Sequence, residues 1–206
     1  WSPDRGWLAW RGYHEPVVRT WNVERRRWGP QLPAGDNATI AGWNQDGTIF
    51  ATGGSDAGGM GILLWDWPTG KLLRAMRPHA WAPQVAWSPD YDYLSGFTEN
   101  ELRIWRVDGT PAFSVAYSQI HQLAWHPQRN LLAVRGRVEP ESPTAQIQVI
   151  DTSGTEVARF DCGNSDFLSS LNWSHDGELL HFDGVGARMQ TWRFGDASIS
   201  DWESST

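Results

Sequence analysis

Apolar and polar side chains alternate with a period of two through most of the chain, as in Leu102-Arg103-Ile104-Trp105-Arg106-Val107 and Ile147-Gln148-Val149-Ile150. Successive side chains of an extended chain point to opposite faces, so this period predicts β-strands, and β-branched and aromatic residues fill the apolar positions. No segment carries a persuasive helical period. The clearest stretch runs from Gln84 to Thr110, where three strands are separated by two turns, the first of them Ser88-Pro89-Asp90.

That stretch recurs. Strand ends followed by a polar turn stand at Trp1-Ser2-Pro3-Asp4, Trp43-Asn44-Gln45-Asp46, Trp87-Ser88-Pro89-Asp90, Trp125-His126-Pro127-Gln128 and Trp173-Ser174-His175-Asp176, at spacings of 42, 44, 38 and 48 residues. A second anchor follows each by 18 to 25 residues: Trp21-Asn22, Trp65-Asp66, Trp105-Arg106, Ile150-Asp151 and Trp192-Arg193. Turns such as Pro68-Thr69-Gly70 and Asp108-Gly109 come next, then another short strand, as at Lys71 to Met76 and Glu156 to Phe160. Four strands in a repeat of roughly 40 to 45 residues are the signature of a propeller blade. The repeats fall at approximately 1–40, 41–83, 84–121, 122–169 and 170–206, in a single domain.

The Trp-Ser-Pro-Asp type of first anchor, the Trp-Asp type of second anchor and the Thr-Gly or Asp-Gly turn after it resemble the WD-repeat family of β-propellers, over essentially the whole chain. The expected fold is therefore all-β, a WD-repeat-type propeller with about five four-stranded blades in view. Departures from the family pattern are visible. Only Trp65-Asp66 is a literal Trp-Asp pair, Arg106 stands where an Asp is expected, and the Gly-His dipeptide that opens such repeats survives only as His79 or Gly163-Asn164. The resemblance implies that most of the family's His-Ser-Trp-Asp hydrogen-bond network is absent and that packing of Trp and aliphatic rows replaces it. Trp1 already occupies a strand end, which leaves two readings: a piece of a larger propeller, or a five-bladed ring.

Composition narrows the function. A net charge of −7 argues against a phosphate-tracking nucleic-acid binder. One cysteine, Cys162, makes no intrachain disulfide, which fits a cytoplasmic protein, and no run of about 18 apolar residues is present to span a membrane. Fifteen Trp are the outlier, and sheets that use one or more large rings per repeat account for them.

Chemistry is sparse. No nucleophile elbow, metal-ligand spacing or cofactor fingerprint appears, so no catalytic residue, metal or cofactor is assigned. His121 and His126 lie five apart on a strand, which sends their rings to opposite faces. The Gly53 to Gly61 stretch lacks the following helix that a phosphate loop needs and reads as a hairpin loop in which Asp56 caps the turn. Glu24-Arg25-Arg26-Arg27-Trp28 reads as a solvated basic turn.

What the resemblance implies is binding through the loops between second and third strands and between repeats, where exposed aromatic and Arg side chains make interaction hot spots. Tyr13, His14, Trp81, Phe97, Arg135, Arg137 and Phe167 are the candidates. The expected function is a non-catalytic scaffold or sensor for a protein or peptide partner, fused to or assembled with an effector domain. A propeller enzyme or small-ligand binder with a site at the central channel is the alternative.

Overall fold

The computed structural model describes residues 1–13, 15–35, 38–77, 84–98, 100–138, 144–162, 170–183 and 189–195, and the backbone of 199–201. Five antiparallel sheets hold all the strands among them, each sheet running through neighbouring strands in chain order. The first has three strands, β1 (Trp7–Trp10), β2 (Arg19–Asn22) and β3 (Arg27–Trp28). The second has four, β4 (Thr39–Trp43), β5 (Ile49–Asp56), β6 (Gly59–Asp66) and β7 (Lys71–Met76). The third comprises β8 (Gln84–Trp87), β9 (Tyr93–Phe97), β10 (Glu101–Arg106) and β11 (Pro111–Ala116). The fourth comprises β12 (Gln119–Trp125), β13 (Leu131–Arg137), β14 (Gln146–Asp151) and β15 (Glu156–Asp161), and the fifth β16 (Leu171–Trp173), β17 (Leu179–Asp183), β18 (Met189–Arg193) and β19 (Ile199–Asp201). No helix long and apolar enough to cross a membrane occurs among the described residues.

One turn geometry sets the register of each sheet. The residue after the first-anchor Trp donates its backbone N–H across the turn, from Ser2 to the Trp7 carbonyl, Asn44 to Ile49, His126 to Leu131 and Ser174 to Leu179, at 2.8 to 3.0 Å. In three of these turns the same residue's side chain accepts the amide in return: Trp7 N to Ser2 Oγ, Ile49 N to Asn44 Oδ1 and Leu179 N to Ser174 Oγ, each 2.9 Å. His126 caps its turn differently: its ring Nδ1 accepts from the Gln128 and Arg129 amides at 3.1 Å, while the Leu131 amide donates to the Arg129 carbonyl at 2.7 Å. Two residues on, an Asp fixes the hydroxyl: Ser2 to Asp4, Ser88 to Asp90 and Ser174 to Asp176 at 2.5 to 2.6 Å. These bonds to the ionised form hold Asp4 and Asp176 below the usual carboxylate range. A one-residue slip would turn every apolar side chain to the wrong face, so a polar pair at the turn specifies the whole sheet.

The second anchor ends in a matching cap. Asp66 takes the Thr69 hydroxyl, and Asp151 takes Ser153 and Thr155. Where the third repeat has Arg106, the cap moves two residues along, to Asp108, whose Oδ1 accepts the Thr110 amide at 2.8 Å and hydroxyl at 2.7 Å. Arg106 instead lies over the Tyr93 ring at 5.3 Å. Inside the second sheet, Trp65 Nε1 donates to Thr52 Oγ1 at 3.0 Å.

Two compact units divide the chain, the first made of residues 1–87, 91–98 and 103–111 and the second of 88–90, 99–102 and 112–206. The core of the first is an edge-to-face aromatic chain in which Trp67 meets Trp7 at 5.0 Å and Trp43 at 5.2 Å, and Trp43 meets Phe50 at 4.5 Å. In the second, Trp192 packs on Phe160 at 4.7 Å and Phe194 on Trp173 at 5.3 Å, around Leu180, Phe182 and Val149. Trp1, by contrast, is exposed and belongs to no strand.

The expected hairpin loop at Gly53 to Gly61 is mostly strand. β5 and β6 pair without interruption from Ile49↔Asp66 to Asp56↔Gly59, leaving only residues 57–58 as the turn. Asp56 caps it, accepting the Gly58 amide at 2.8 Å. The glycines serve close approach of backbones: a Cβ on Gly54 would lie 1.9 Å from the Ala34 carbonyl, which accepts the Ser55 amide.

Replacing Gly54 by Ala forces that backbone apart and should lower stability by about 1 to 3 kcal/mol, read as a fall in the urea midpoint at unchanged m. Burial, with the Arg129 charge beside it, holds the His126 imidazole below its ordinary range, so the unfolded chain takes up that proton first as pH falls. Stability should therefore drop as pH goes from about 7 down through the ordinary imidazole pKa of about 6.5. His126→Asn, which keeps a side-chain acceptor as Asn44 does, should flatten this part of a Tm-versus-pH profile.

Candidate interaction surfaces

Each sheet has two ends: one carries the capped turns, and the other includes the described connection residues 11–13, 15–18 and 57–58. At this second end of the first sheet, the Glu15 amide donates to the Gly12 carbonyl at 3.2 Å, and the Glu15 carboxylate pairs with Arg19 Nε at 2.8 Å. The fold thereby presents Tyr13 at the apex of the connection, 89% exposed. At the same end of the second sheet, Arg77 pairs with Asp56 at 2.5 Å and donates to the Gly59 carbonyl at 2.6 Å, which closes the hairpin tip.

The other sequence candidates distribute unequally. Phe97 and Arg135 were expected to be exposed and are not: Phe97 is 5% exposed at the end of β9, and Arg135 is fully buried in β13. The second strands of the second, third and fourth sheets are covered on both faces, so alternation there no longer marks a solvent side. Arg137, at the last position of β13, is half-buried. His14, Trp81 and Phe167 lie outside the described residues. Tyr13 is thus the candidate that stands in the open.

Arg135 is a structural tie instead. Its Nη2 donates to the Asp183 carbonyl at 2.7 Å, and the guanidinium lies over the Phe182 ring at 5.4 Å, while Nε and Nη1 find no hydrogen-bond acceptor. The Cys162 thiol sits beside it and donates to the Ala145 carbonyl at 3.1 Å; burial pushes that thiol up despite the Arg135 charge, so it is not a reactive nucleophile. A second buried polar relay runs from Tyr117 Oη to Gln148 Oε1 at 2.6 Å, then from Gln148 Nε2 to Glu156 at 2.9 Å, and Glu156 holds Arg159. Burial pushes the Tyr117 phenol up to about 12, so it stays protonated as the relay's donor.

At the capped-turn end, Ser2, Pro3, Asp4, Trp7, Asp46, Gly47, Trp67 and Pro68 line a cleft of about 250 Å³. Asp4 Oδ1 accepts from Ser2 and Gly6, and Asp46 Oδ1 accepts twice from Thr48, which keeps both carboxylates ionised and below their usual range. Anionic rims beside indole walls suit a cationic group. The basic run on the same sheet end is solvated as expected: Arg25, Arg26 and Arg27 are exposed, and Trp28, though 56% exposed, stacks with Trp10 and Trp21 at 5.4 and 5.3 Å. Sequence reasoning missed the cleft because Asp4 and Asp46 stand 42 residues apart, although both occupy the same place in the repeat. Among the described residues no cluster of three or more metal-ligating side chains forms.

No protein family profile matches the chain. It is 24% identical over 150 residues to the small ribosomal subunit protein RACK1z of Arabidopsis thaliana, which covers 73% of this chain and 37% of that protein. The small ribosomal subunit protein RACK1y of Oryza sativa is 22% identical over 184 residues, covering 88% and 42%. The chain therefore spans about two fifths of the curated relatives it matches. Among solved structures, the hydrazine synthase of Kuenenia stuttgartiensis superposes with a TM-score of 0.73 at 14% identity, over 97% of this chain and 59% of that one. With the repeated four-stranded sheets, these likenesses show the fold: all-β, a propeller of WD-repeat type.

Because two of its donors are unpaired, Arg135 contributes little as an ion and much as volume. Arg135→Met should leave stability within about 1.5 kcal/mol, whereas Arg135→Ala, which opens a cavity, should cost about 2 to 5 kcal/mol in chemical denaturation.

Proposed function

We propose that the chain is a WD-repeat-family propeller domain that acts in the cytoplasm as a non-catalytic scaffold, binding a protein or peptide partner through the connections at the loop end of its sheets. The observation that carries this reading is the division of labour within each repeat. Polar caps and Trp packing fix the sheets, while the connections vary in length and composition and include the 89% exposed Tyr13. A large aromatic ring held on a loop pinned by an ion pair gives contact area at little entropic cost. Low-identity similarity to proteins named as small ribosomal subunit components, which work within an assembly, supports the same use. Likeness to a protein named as a hydrazine synthase carries no catalytic argument, since one fold hosts many functions.

The cleft bounded by Asp4 and Asp46 adds a second contact, suited to a Lys or Arg side chain of the partner. Because the Tyr13 side chain is 89% exposed, Tyr13→Ala should change the Tm little. In affinity capture from the native cell extract followed by mass spectrometry, the variant should recover its specific partner at least about tenfold less than the wild type, the loss typical of a hot-spot aromatic. Equal recovery by both proteins would remove Tyr13 from the interface. Absence of any specific partner for the wild type would remove the scaffold reading.

A further inference from the structure

The capped turns of the third and fourth repeats show what a turn Asp can take from its neighbour. Asp90 holds the Ser88 hydroxyl through Oδ1 at 2.6 Å, and its other oxygen, Oδ2, accepts from the side-chain amide of Asn130 in the next repeat's turn. Asp90 stands three residues after its anchor Trp87, and Asn130 five after Trp125. The same two places in the first pair of repeats hold Asp4, three after Trp1, and Thr48, five after Trp43. Thr48 does not reach across. Its hydroxyl and amide both donate to Asp46 Oδ1 in its own turn, at 2.6 and 2.9 Å. Asp4 Oδ1 is taken up by the Ser2 hydroxyl at 2.5 Å and the Gly6 amide at 2.9 Å. Among the described residues, Asp4 Oδ2 therefore lacks the N–H donor that Asp90 Oδ2 receives, and a cleft of about 250 Å³ lies between the two turns.

The walls of the cleft narrow what could supply that donor. Trp7 and Trp67 line it and meet edge to face at 5.0 Å, so its apolar part is aromatic. The charge at its rim is also uncompensated. Asp108, on another turn, is held below its usual range partly by the charges of Arg106 and Arg74, whereas Asp4 and Asp46 are held there by neutral hydroxyl, amide and backbone donors. A quaternary ammonium has no N–H to give Asp4. A lysine ammonium presents its donors at one point and holds its water tightly. A guanidinium is planar and weakly hydrated, carries donors on three nitrogens, and can lie against an indole while it bonds to two separate carboxylates.

We propose that the cleft between the first two capped turns is an arginine-recognition site: the guanidinium of a partner's arginine side chain enters beside Trp7 and Trp67 and donates to Asp4 Oδ2, as Asn130 does to Asp90, and to Asp46. This rests on the reading of the chain as a scaffold and names the side chain that its second contact selects.

The test titrates N-acetylarginine N-methylamide, and the matching lysine and trimethyllysine compounds, into the 206-residue chain. Binding is read by NMR at the Trp7 and Trp67 indole N–H groups of 15N-tryptophan protein, assigned with Trp7→Phe and Trp67→Phe. The arginine compound should shift both resonances saturably, and the other two should bind at least about fivefold more weakly. Thr48→Asn copies Asn130 and supplies the missing donor from within, so it should weaken arginine binding by at least about fivefold while the chain stays folded. Asp4→Asn keeps the Oδ1 acceptor of the cap but puts a donor in place of Oδ2, and should weaken binding by a similar factor. No saturable shift with the arginine compound overturns the proposal. So does lysine or trimethyllysine binding as tightly, or arginine binding undiminished in folded Thr48→Asn or Asp4→Asn protein. The titration contains no partner, so its outcome is independent of the Tyr13-dependent capture that tests the scaffold reading.

Discussion

The capped turn between the first and second strand of each sheet is the constraint on which the rest depends. A propeller-type sheet is short and strongly twisted, and the second strands of the second, third and fourth sheets are buried on both faces, so side-chain packing alone does not fix their register. Here a Ser or Asn accepts the amide that opens the second strand and donates its own backbone N–H in return, and in the fourth sheet His126 instead accepts the Gln128 and Arg129 amides within the turn. Asp4, Asp90 and Asp176 then hold the Ser hydroxyls in place. From that point the strand's apolar row, Leu132 and Val134 in the fourth sheet or Leu180 and Phe182 in the fifth, falls into the core. Different side chains do one job because the requirement is an acceptor at a fixed distance from the backbone.

The same anchor joins consecutive repeats. In two repeats its Trp sends the indole N–H to the first strand of the preceding sheet, Trp87 to the Gly42 carbonyl and Trp173 to the Ala124 carbonyl. Trp87 and Trp173 therefore serve two ends at once, packing large apolar rings and placing one directional donor between sheets. With the frame held by these bonds, the connections at the other end are released from structural duty. Tyr13 stands exposed on one of them, and the acidic cleft between Asp4 and Asp46 arises where two capped turns come together.

Much of this was legible in the residues. Four of the five first anchors end a strand as expected, Trp1 being the exception, and the second anchors and the outer strands expected at Lys71 to Met76 and Glu156 to Phe160 sit where alternation and turn residues put them. Asp56 capping its turn followed from Asx chemistry. The site was less legible, for a physical reason. Alternation marks a solvent side only where one face of a strand is wet, and β9 and β13 are dry on both, so Phe97 and Arg135 were misjudged as surface groups. The Gly53 to Gly61 hairpin read as a loop because glycine signals flexibility in sequence, whereas Gly54 and Gly61 are there to let backbones touch. The displaced cap at Asp108 and the unpaired indole of Trp43 depend on contacts that spacing alone does not display.

The central claim, that the side-chain cap fixes the register of each sheet, is tested most directly by amide hydrogen exchange at Leu179 in wild type and Ser174→Ala. Loss of the cap should speed Leu179 exchange and lower overall stability by about 1 kcal/mol, the usual worth of a capping or turn hydrogen bond. Leu179 exchange that is unaltered in a variant of unchanged stability would contradict the account and leave packing as the sole source of register.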